Sequence, residues 1–307
     1  MLRVIKRFYE KHYKGLLVIP LLLLIFAIGQ IYMQINSTGD FINKGVSLKG
    51  GITITIDYTG SGIHPININT LESQLRSEFP TVDVSIREQS ELGEVTGILV
   101  DAAIEKDDAM HSFKSSLISK ISGLTMEQIE SNIAAMGSSL GQAFFRQTFR
   151  AVIIAFILMG IVVFFYFRVP IPSIAVILAA LSDIVITVAI FNLTGLKLST
   201  AGIAAFLMLI GYSVDTDILL STRVLKFKEG TVFDRILQAM KTGLMMSITT
   251  IIALIVGLTF SISAELKQIM LILLIGLVVD LINTWIQNAG ILRWYVEKKH
   301  KGASPNG

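Results

Sequence analysis

The chain has 307 residues, of which 52% are hydrophobic and only 16% are charged, and its formal net charge is +3. Ordinary soluble domains carry roughly a quarter charged residues, so this composition argues against a soluble enzyme and favours a membrane protein. The mean hydropathy of +0.67 supports the same class. The sequence contains no cysteine, which excludes disulfides and thiolate metal sites.

Six apolar runs are long enough to cross a bilayer as helices, which takes about 18 or more residues. The predicted spans cover residues 16–33, 151–167, 171–191, 198–222, 243–260 and 268–292. Before the fifth span, residues 231–240 have apolar residues at helical spacing and are predicted to form a separate, short amphipathic helix on the membrane surface.

Basic residues are concentrated in the segments on one side of these spans, whereas the opposite short loops carry only Lys197 and Lys267. The positive-inside rule therefore predicts a multi-pass protein of the cell membrane with both termini in the cytoplasm. The predicted organisation is a cytoplasmic N-terminus with the first span (1–34), an external domain (35–147), spans two to six (148–293) and a cytoplasmic tail (294–307). This charge distribution explains the positive net charge without a nucleic-acid partner.

The segment between the first two spans alternates strand and helix patterns. Strands are predicted at 51–58, 82–88, 95–102 and 128–136, and helices at 65–79 and 107–121. The order β-α-β-β-α-β is typical of a ferredoxin-like split βαβ sheet. The predicted fold class is thus a polytopic α-helical membrane protein with six transmembrane helices and one α+β ferredoxin-like external domain. Asn36 and Asn192 match glycosylation sequons on the predicted outer side, although such triplets are common by chance.

Four carboxylates lie at bilayer depth, namely Asp183, Asp215, Asp217 and Asp280. Each costs roughly 2.5 to 3.5 kcal/mol on insertion scales, so such residues usually line a polar interface, a proton path or an ion site. Asp215 and Asp217 project roughly 200° apart on a helix, which predicts that one faces the chain's own bundle and the other a second subunit. The alternative is that these aspartates only hydrogen-bond neighbouring helices.

Two further polar features accompany the fourth span. Ser213, Asp217 and Ser221 recur at every fourth residue and form one polar stripe. Arg223 follows them and is interpreted as a positive-inside anchor, with a carboxylate partner as the alternative. Asn283, Thr284, Gln287 and Asn288 make the inner half of the sixth span polar, where they could simply meet lipid headgroups.

Enzyme signatures are largely missing from the sequence. It has no Walker A loop, no His-Glu-x-x-His pair and no nucleophile elbow, and all four histidines lie outside the spans. The remaining catalytic possibility is an intramembrane aspartyl protease that uses Asp183 and Asp215, but the fourth span lacks the Gly-x-Gly-Asp context of such proteases. The residues therefore predict transport machinery with no cofactor and no metal.

Three motifs carry a family resemblance. Gly50 and Gly51 close the run Gly-Val-Ser-Leu-Lys-Gly-Gly at 45–51, Gly137 and Gly141 belong to Met-Gly-Ser-Ser-Leu-Gly at 136–141, and Gly211, Tyr212 and Ser213 open Gly-Tyr-Ser-Val-Asp-Thr-Asp at 211–217. Together with six spans and one large loop after the first, these motifs resemble the SecF branch of the SecD/SecF family, within the resistance-nodulation-division superfamily. The common bacterial pattern has an aspartate at the position of Thr216, whereas here aspartates flank it, as in the archaeal branch.

The resemblance implies a function and partners. It implies an accessory subunit of the Sec translocase that assists protein export with a SecD-like six-helix subunit, beside a SecYEG-type channel, on unfolded secretory proteins and in membrane lipid. It also implies coupling to the transmembrane ion gradient, in which either aspartate beside Thr216 could handle the ion. A proton-driven drug or lipid exporter of the same superfamily is the alternative.

Overall fold

The computed structural model describes residues 12–58, 62–91, 94–104, 107–227 and 229–302. In this part of the chain, six helices are long and apolar enough to cross a membrane, which confirms the predicted number of spans. In chain order, the helices and strands are α1 Val18–Thr38, α2 Val46–Lys49, β1 Gly51–Asp57, α3 Ile68–Glu78, β2 Val84–Glu91, β3 Glu94–Ala102, α4 Asp107–Lys120, α5 Met126–Ser131, β4 Ile133–Met136, α6 Ser138–Phe167, α7 Pro170–Leu193, α8 Thr200–Lys226, α9 Val232–Phe260, α10 Ala264–Ile282, the π-helical turn Asn283–Asn288 and α11 Ala289–Gly302. The last three form one continuous sixth span, Ala264–Lys299.

Two of the spanning helices begin well before the apolar runs that predict them. Helix α6 starts at Ser138, so the predicted domain boundary at 147 falls inside a helix. Helix α9 starts at Val232 and includes the residues of the predicted surface helix, which is therefore not a separate element. A capping box between Thr231 and Asp234 fixes its start. The helix then continues without a break past Gly243, where the fifth apolar run begins. Hydropathy detects the part of a helix in the membrane and misses its polar extension.

The domain between α1 and α6 is a four-stranded antiparallel sheet of order β2-β3-β1-β4, which is the predicted ferredoxin-like topology. Helices α3 and α4 cover one face and contribute Leu75, Phe113 and Leu117 to a core with Ile54 of β1. The predicted last strand is wrong over its first half, because residues 126–131 form α5 instead. A capping box between Thr125 and Gln128 starts that helix.

The sheet domain is attached to the helical bundle by charged contacts. Lys197, in the loop between α7 and α8, places Nζ 2.7 Å from Asp83 Oδ1, just before β2. Lys267, in the first turn of α10, donates from Nζ to the Ser90 backbone oxygen at 2.6 Å. The two lysines therefore contact the chain at both ends of strand β2.

The interior of the bundle is formed by α7, α8 and the sixth span, which are buried over half or more of their most apolar windows. Helices α1, α6 and α9 flank them and expose most of their apolar side chains. This division matters because the predicted carboxylates lie on the three interior helices, where neighbouring helices can supply hydrogen-bond donors.

Candidate functional site

Three of the four predicted carboxylates meet in the interior of the bundle. Asp183 lies on α7, Asp217 on α8 and Asp280 on α10, and all three side chains are fully buried. They are close enough to interact electrostatically with one another. Because like charges repel strongly where water is excluded, this cluster is sensitive to any added or removed charge.

Asp183 is the carboxylate with both oxygens satisfied. The Ser213 hydroxyl donates to Asp183 Oδ2 at 2.5 Å, and Asn283 Nδ2 donates to Asp183 Oδ1 at 2.7 Å. These two bonds tie α7 to both α8 and the sixth span. Ser213 thus connects the family motif on α8 to the carboxylate of the neighbouring helix.

Asp217 and Asp280 share one hydroxyl group. Thr284 Oγ1 lies 3.0 Å from Asp217 Oδ1 and 2.9 Å from Asp280 Oδ1. A hydroxyl has a single hydrogen, so it can donate to only one of these oxygens at a time. The second short contact requires another hydrogen, which either carboxyl group supplies when it is protonated.

The same pair of carboxylates has unused acceptor capacity. Asp217 Oδ1 also accepts from Asn288 Nδ2 at 2.7 Å, whereas Asp217 Oδ2 and Asp280 Oδ2 are buried with no hydrogen-bond partner among the described residues. Unsatisfied buried acceptors are costly and uncommon in folded proteins. These two oxygens distinguish Asp217 and Asp280 from Asp183, whose oxygens both accept hydrogen bonds. No group of three metal-ligating side chains arranged for a metal occurs in the described part of the chain.

The polar residues of the sixth span face the interior and not lipid headgroups. Asn283, Thr284 and Asn288 are fully buried, and Gln287 is nearly so. They occupy the π-helical turn, whose widened turn interrupts the regular α-helix of the span. The turn serves two helices at once, since Asn283 binds Asp183 of α7 while Thr284 and Asn288 bind Asp217 of α8. Sequence reasoning noticed these polar residues but assigned none of them to the site.

Asp215 lies away from the cluster, as the helical geometry predicts. Its side chain is exposed, on the same face of α8 as Met208 and Tyr212. Ser221 is buried on the side of Asp217, so the predicted polar stripe is one face of α8. Arg223 stacks over the Phe227 ring, 4.7 Å from the ring centroid, and binds no carboxylate among the described residues. The structure therefore brings together three of the five predicted polar residues.

The motif glycines have different structural roles. A side chain at Gly51 would place Cβ 2.4 Å from the Ala102 backbone oxygen, and the φ of Gly51 is +135°. A Cβ at Gly141 would lie 3.2 Å from the Gly50 backbone nitrogen, so two motifs that are distant in sequence pack against each other. At Gly137 and Gly211, by contrast, the space around a Cβ is open. The sequon residue Asn192 is buried and donates to the Phe41 backbone oxygen at 2.9 Å, which leaves it unsuited to glycosylation.

Six spanning helices, a ferredoxin-like domain after the first and buried carboxylates on the interior helices define a polytopic membrane protein of the transporter type. The family profile described as "Protein export membrane protein SecD/SecF, C-terminal" matches residues 117–298. A protein-export membrane protein SecF from Pyrococcus furiosus is 37% identical over 295 residues, covering 96% of this chain and 95% of the relative. One from Methanolacinia petrolearia is 38% identical over 291 residues, covering 94% of this chain and 95% of the relative. The chain therefore belongs to the SecF family of protein-export membrane proteins.

The fold also has a solved counterpart. The crystal structure of SecDF, a translocon-associated membrane protein from Thermus thermophilus, superposes with a TM-score of 0.71 at 21% identity. The match covers 94% of this chain but 38% of that longer chain. At this identity the likeness establishes the fold alone. Membership of the protein-export family argues against the intramembrane protease and the drug or lipid exporter.

Proposed function

We propose that the chain is an accessory subunit of the Sec translocase that uses the transmembrane ion gradient to assist protein export. The buried cluster of Asp183, Asp217 and Asp280 is the observation that carries this proposal. Moving one charge through the membrane field provides roughly 2.3 kcal/mol per 100 mV, which is enough to bias a rearrangement of two states. The coupling role of Asp217 and Asp280 is supported by their unsatisfied oxygens and by the single hydroxyl that they share.

If the coupled ion is a proton, the hydrogen bonds of Thr284 depend on the protonation of Asp217 and Asp280. With one proton between Asp217 and Asp280, the Thr284 hydroxyl donates to the ionised carboxylate and accepts from the neutral one. Loss of that proton leaves two acceptors facing one hydrogen, and repulsion then separates α8 from the sixth span. Uptake of a proton reverses the change. The cluster would in this way convert protonation into a relative movement of interior helices.

A reconstituted export assay tests the proposal. Vesicles that contain a SecYEG-type channel, a SecD-like subunit and this chain should export an unfolded secretory protein faster when a proton gradient is imposed. Vesicles that lack only this chain are the control. Equal stimulation by the gradient with and without the chain would contradict the proposal, and stimulation by a sodium gradient alone would assign the coupling to another ion.

The exposed face of α8 is the proposed contact with the SecD-like six-helix subunit. This face carries Ala204, Met208, Tyr212 and Asp215, and a carboxylate facing lipid would be costly. We therefore expect the replacement Ala204→Trp to prevent co-purification of the partner, because a large ring there holds the helices apart. Ile252→Trp is the matched control, since Ile252 is 56% exposed but belongs to a different helix, α9. Equal recovery of the partner with both variants would place the contact elsewhere.

The proposed orientation has both termini in the cytoplasm and the sheet domain outside. The chain contains no cysteine, so single cysteines can be introduced without a background signal. We expect Thr194→Cys, in the loop after α7, to react with an impermeant maleimide added to intact cells, and Glu229→Cys, in the loop before α9, to react only after the membrane is opened. The reverse pattern would invert the orientation and move the sheet domain to the cytoplasm.

A further inference from the structure

A basic cavity lies where the bundle meets the sheet domain. It has a volume of about 400 Å³ and lies between the segment that follows α1 and the first turns of α6. Its polar lining includes Lys44, Lys49, Gln142 and Arg146, and Leu48 and Phe145 form its apolar part. None of these residues belongs to the carboxylate cluster or to the proposed partner face.

The charges in this cavity are not balanced within the chain. Three cations and one carboxylate, Asp40, give the lining a formal charge of +2. Lys44 Nζ lies 2.5 Å from Asp40 Oδ1, which uses the only acid of the lining. Lys49 Nζ is 3.9 Å from Asp83 Oδ2, and Asp83 is held more closely by Lys197. Arg146 is exposed and has no carboxylate partner in the described part of the chain. The cavity can therefore accept an anion.

Aromatic side chains lie directly below these charges. Lys44 Nζ is 4.4 Å from the centroid of the Phe145 ring. The Phe41 ring lies 6.2 Å from Phe145 and 5.4 Å from Phe149, between centroids. Lysine and arginine side chains near helix ends typically lay their apolar stems on apolar surface and keep their charges at the level of the headgroups.

Exposed apolar side chains continue from the cavity along the two helices beside it. Helices α1 and α6 both pack against α7. Met33 of α1 is 72% exposed and Ile154 of α6 is 56% exposed. Both helices thus present apolar side chains toward lipid.

We propose that the cavity binds the phosphate of an anionic phospholipid whose acyl chains lie along the exposed apolar side chains of α1 and α6. The Arg146 guanidinium offers paired donors to phosphate oxygens, and Lys44 and Lys49 add point charges. A free phosphate would satisfy the charges but would leave the adjoining apolar surface uncovered. The location at the end of the apolar part of α6 therefore favours the lipid. The site is separate from the export function and makes no use of the gradient.

Binding of lipids to the purified, delipidated full chain tests this site by native mass spectrometry. We expect dioleoyl phosphatidylglycerol to bind more tightly than dioleoyl phosphatidylcholine. Arg146→Gln should weaken the binding of phosphatidylglycerol about fivefold, which is the usual contribution of one cation near a charged membrane surface. The binding of phosphatidylcholine should not change. Arg150→Gln is the matched control, because Arg150 is exposed one turn further along α6 and does not line the cavity.

Each outcome bears on the proposal. An equal loss with Arg150→Gln, or equal binding of the two lipids by the unaltered chain, would overturn it, because the attraction would then be a general surface effect. Inorganic phosphate at millimolar concentration is the competitor. If it displaced phosphatidylglycerol and bound to the chain as tightly as that lipid does, the cavity would be a site for soluble anions. A second variant, Lys44→Gln, would also remove the ion pair with Asp40 and could fail to fold for that reason. Arg146→Gln breaks no ion pair among the described residues, so its result decides the test.

Discussion

Replacing Asp217 by asparagine is expected to abolish the stimulation of export by the proton gradient while the protein still folds and inserts. Asparagine keeps an Oδ1 that accepts from Thr284 and Asn288, and its amide nitrogen takes the place of Oδ2, which has no partner among the described residues. The substitution therefore removes titration and preserves the hydrogen bonds. One charge crossing 100 mV can increase the rate of export by up to about fortyfold, and the variant should lose this increase.

The measurement is export by reconstituted vesicles with and without a gradient, together with the abundance of each variant in the membrane. Asp215→Asn is the matched control, since the residue is two positions away on α8 but exposed and outside the cluster. We expect this control to keep its response to the gradient. A normal response with Asp217→Asn would reduce the cluster to interhelical hydrogen bonding, and loss with Asp215→Asn alone would move the coupling to the partner interface. Asp183→Asn is a poorer test because both oxygens of Asp183 accept hydrogen bonds.

The second large effect is expected from Gly51→Ala, which should destabilise the sheet domain by about 3 kcal/mol. The new methyl group would lie 2.4 Å from the Ala102 backbone oxygen, and a φ of +135° is unfavourable for any residue with a side chain. Urea unfolding of residues 36–145, expressed alone, would measure the change. These residues contain the whole core of the domain and should form a folded α+β unit.

Gly137→Ala provides the control for this experiment. Gly137 belongs to the other motif at the end of the same domain, its φ is −64°, and no atom lies within 4 Å of an added Cβ. The expected change is within about 0.5 kcal/mol. Equal destabilisation by both substitutions would show that the motif glycines act through chain flexibility rather than through the close approach at Gly51.

The fold was largely predictable from the sequence because its two signals are strong and independent. Long apolar runs define spanning helices, and the alternation of β-branched residues defines the strands of the sheet. One error was the helix at residues 126–131, where a strand was predicted. The others occurred where polar sequence continues a helix. Residues 138–150 and 232–242 are polar enough to resemble a linker and a surface helix, yet their backbone hydrogen bonds extend α6 and α9 without interruption.

The sequence predicted the carboxylates of the site, as residues that are costly to place in a membrane, but not how they are arranged. The sequence indicates that Asp183, Asp217 and Asp280 lie at membrane depth, but it contains no information on the rotation of their helices about one another. Thr284 was therefore not recognised as the shared donor. The π-helical turn was not predictable either, because it depends on packing between helices and not on a local pattern of residues. The separation of Asp215 from Asp217 could be predicted, since it follows from helical geometry alone.

The attachment of strand β2 has a mechanical consequence. Its two fixed points, Asp83 and Ser90, are seven residues apart, which corresponds to about 23 Å in an extended strand. One point is held by the loop that joins α7 to α8 and the other by the start of α10, and these helices carry the three buried carboxylates. The strand thus spans two parts of the bundle at a nearly constant length. If the buried cluster rearranges as proposed, a change in the separation of these parts would tilt the sheet or break a lysine contact.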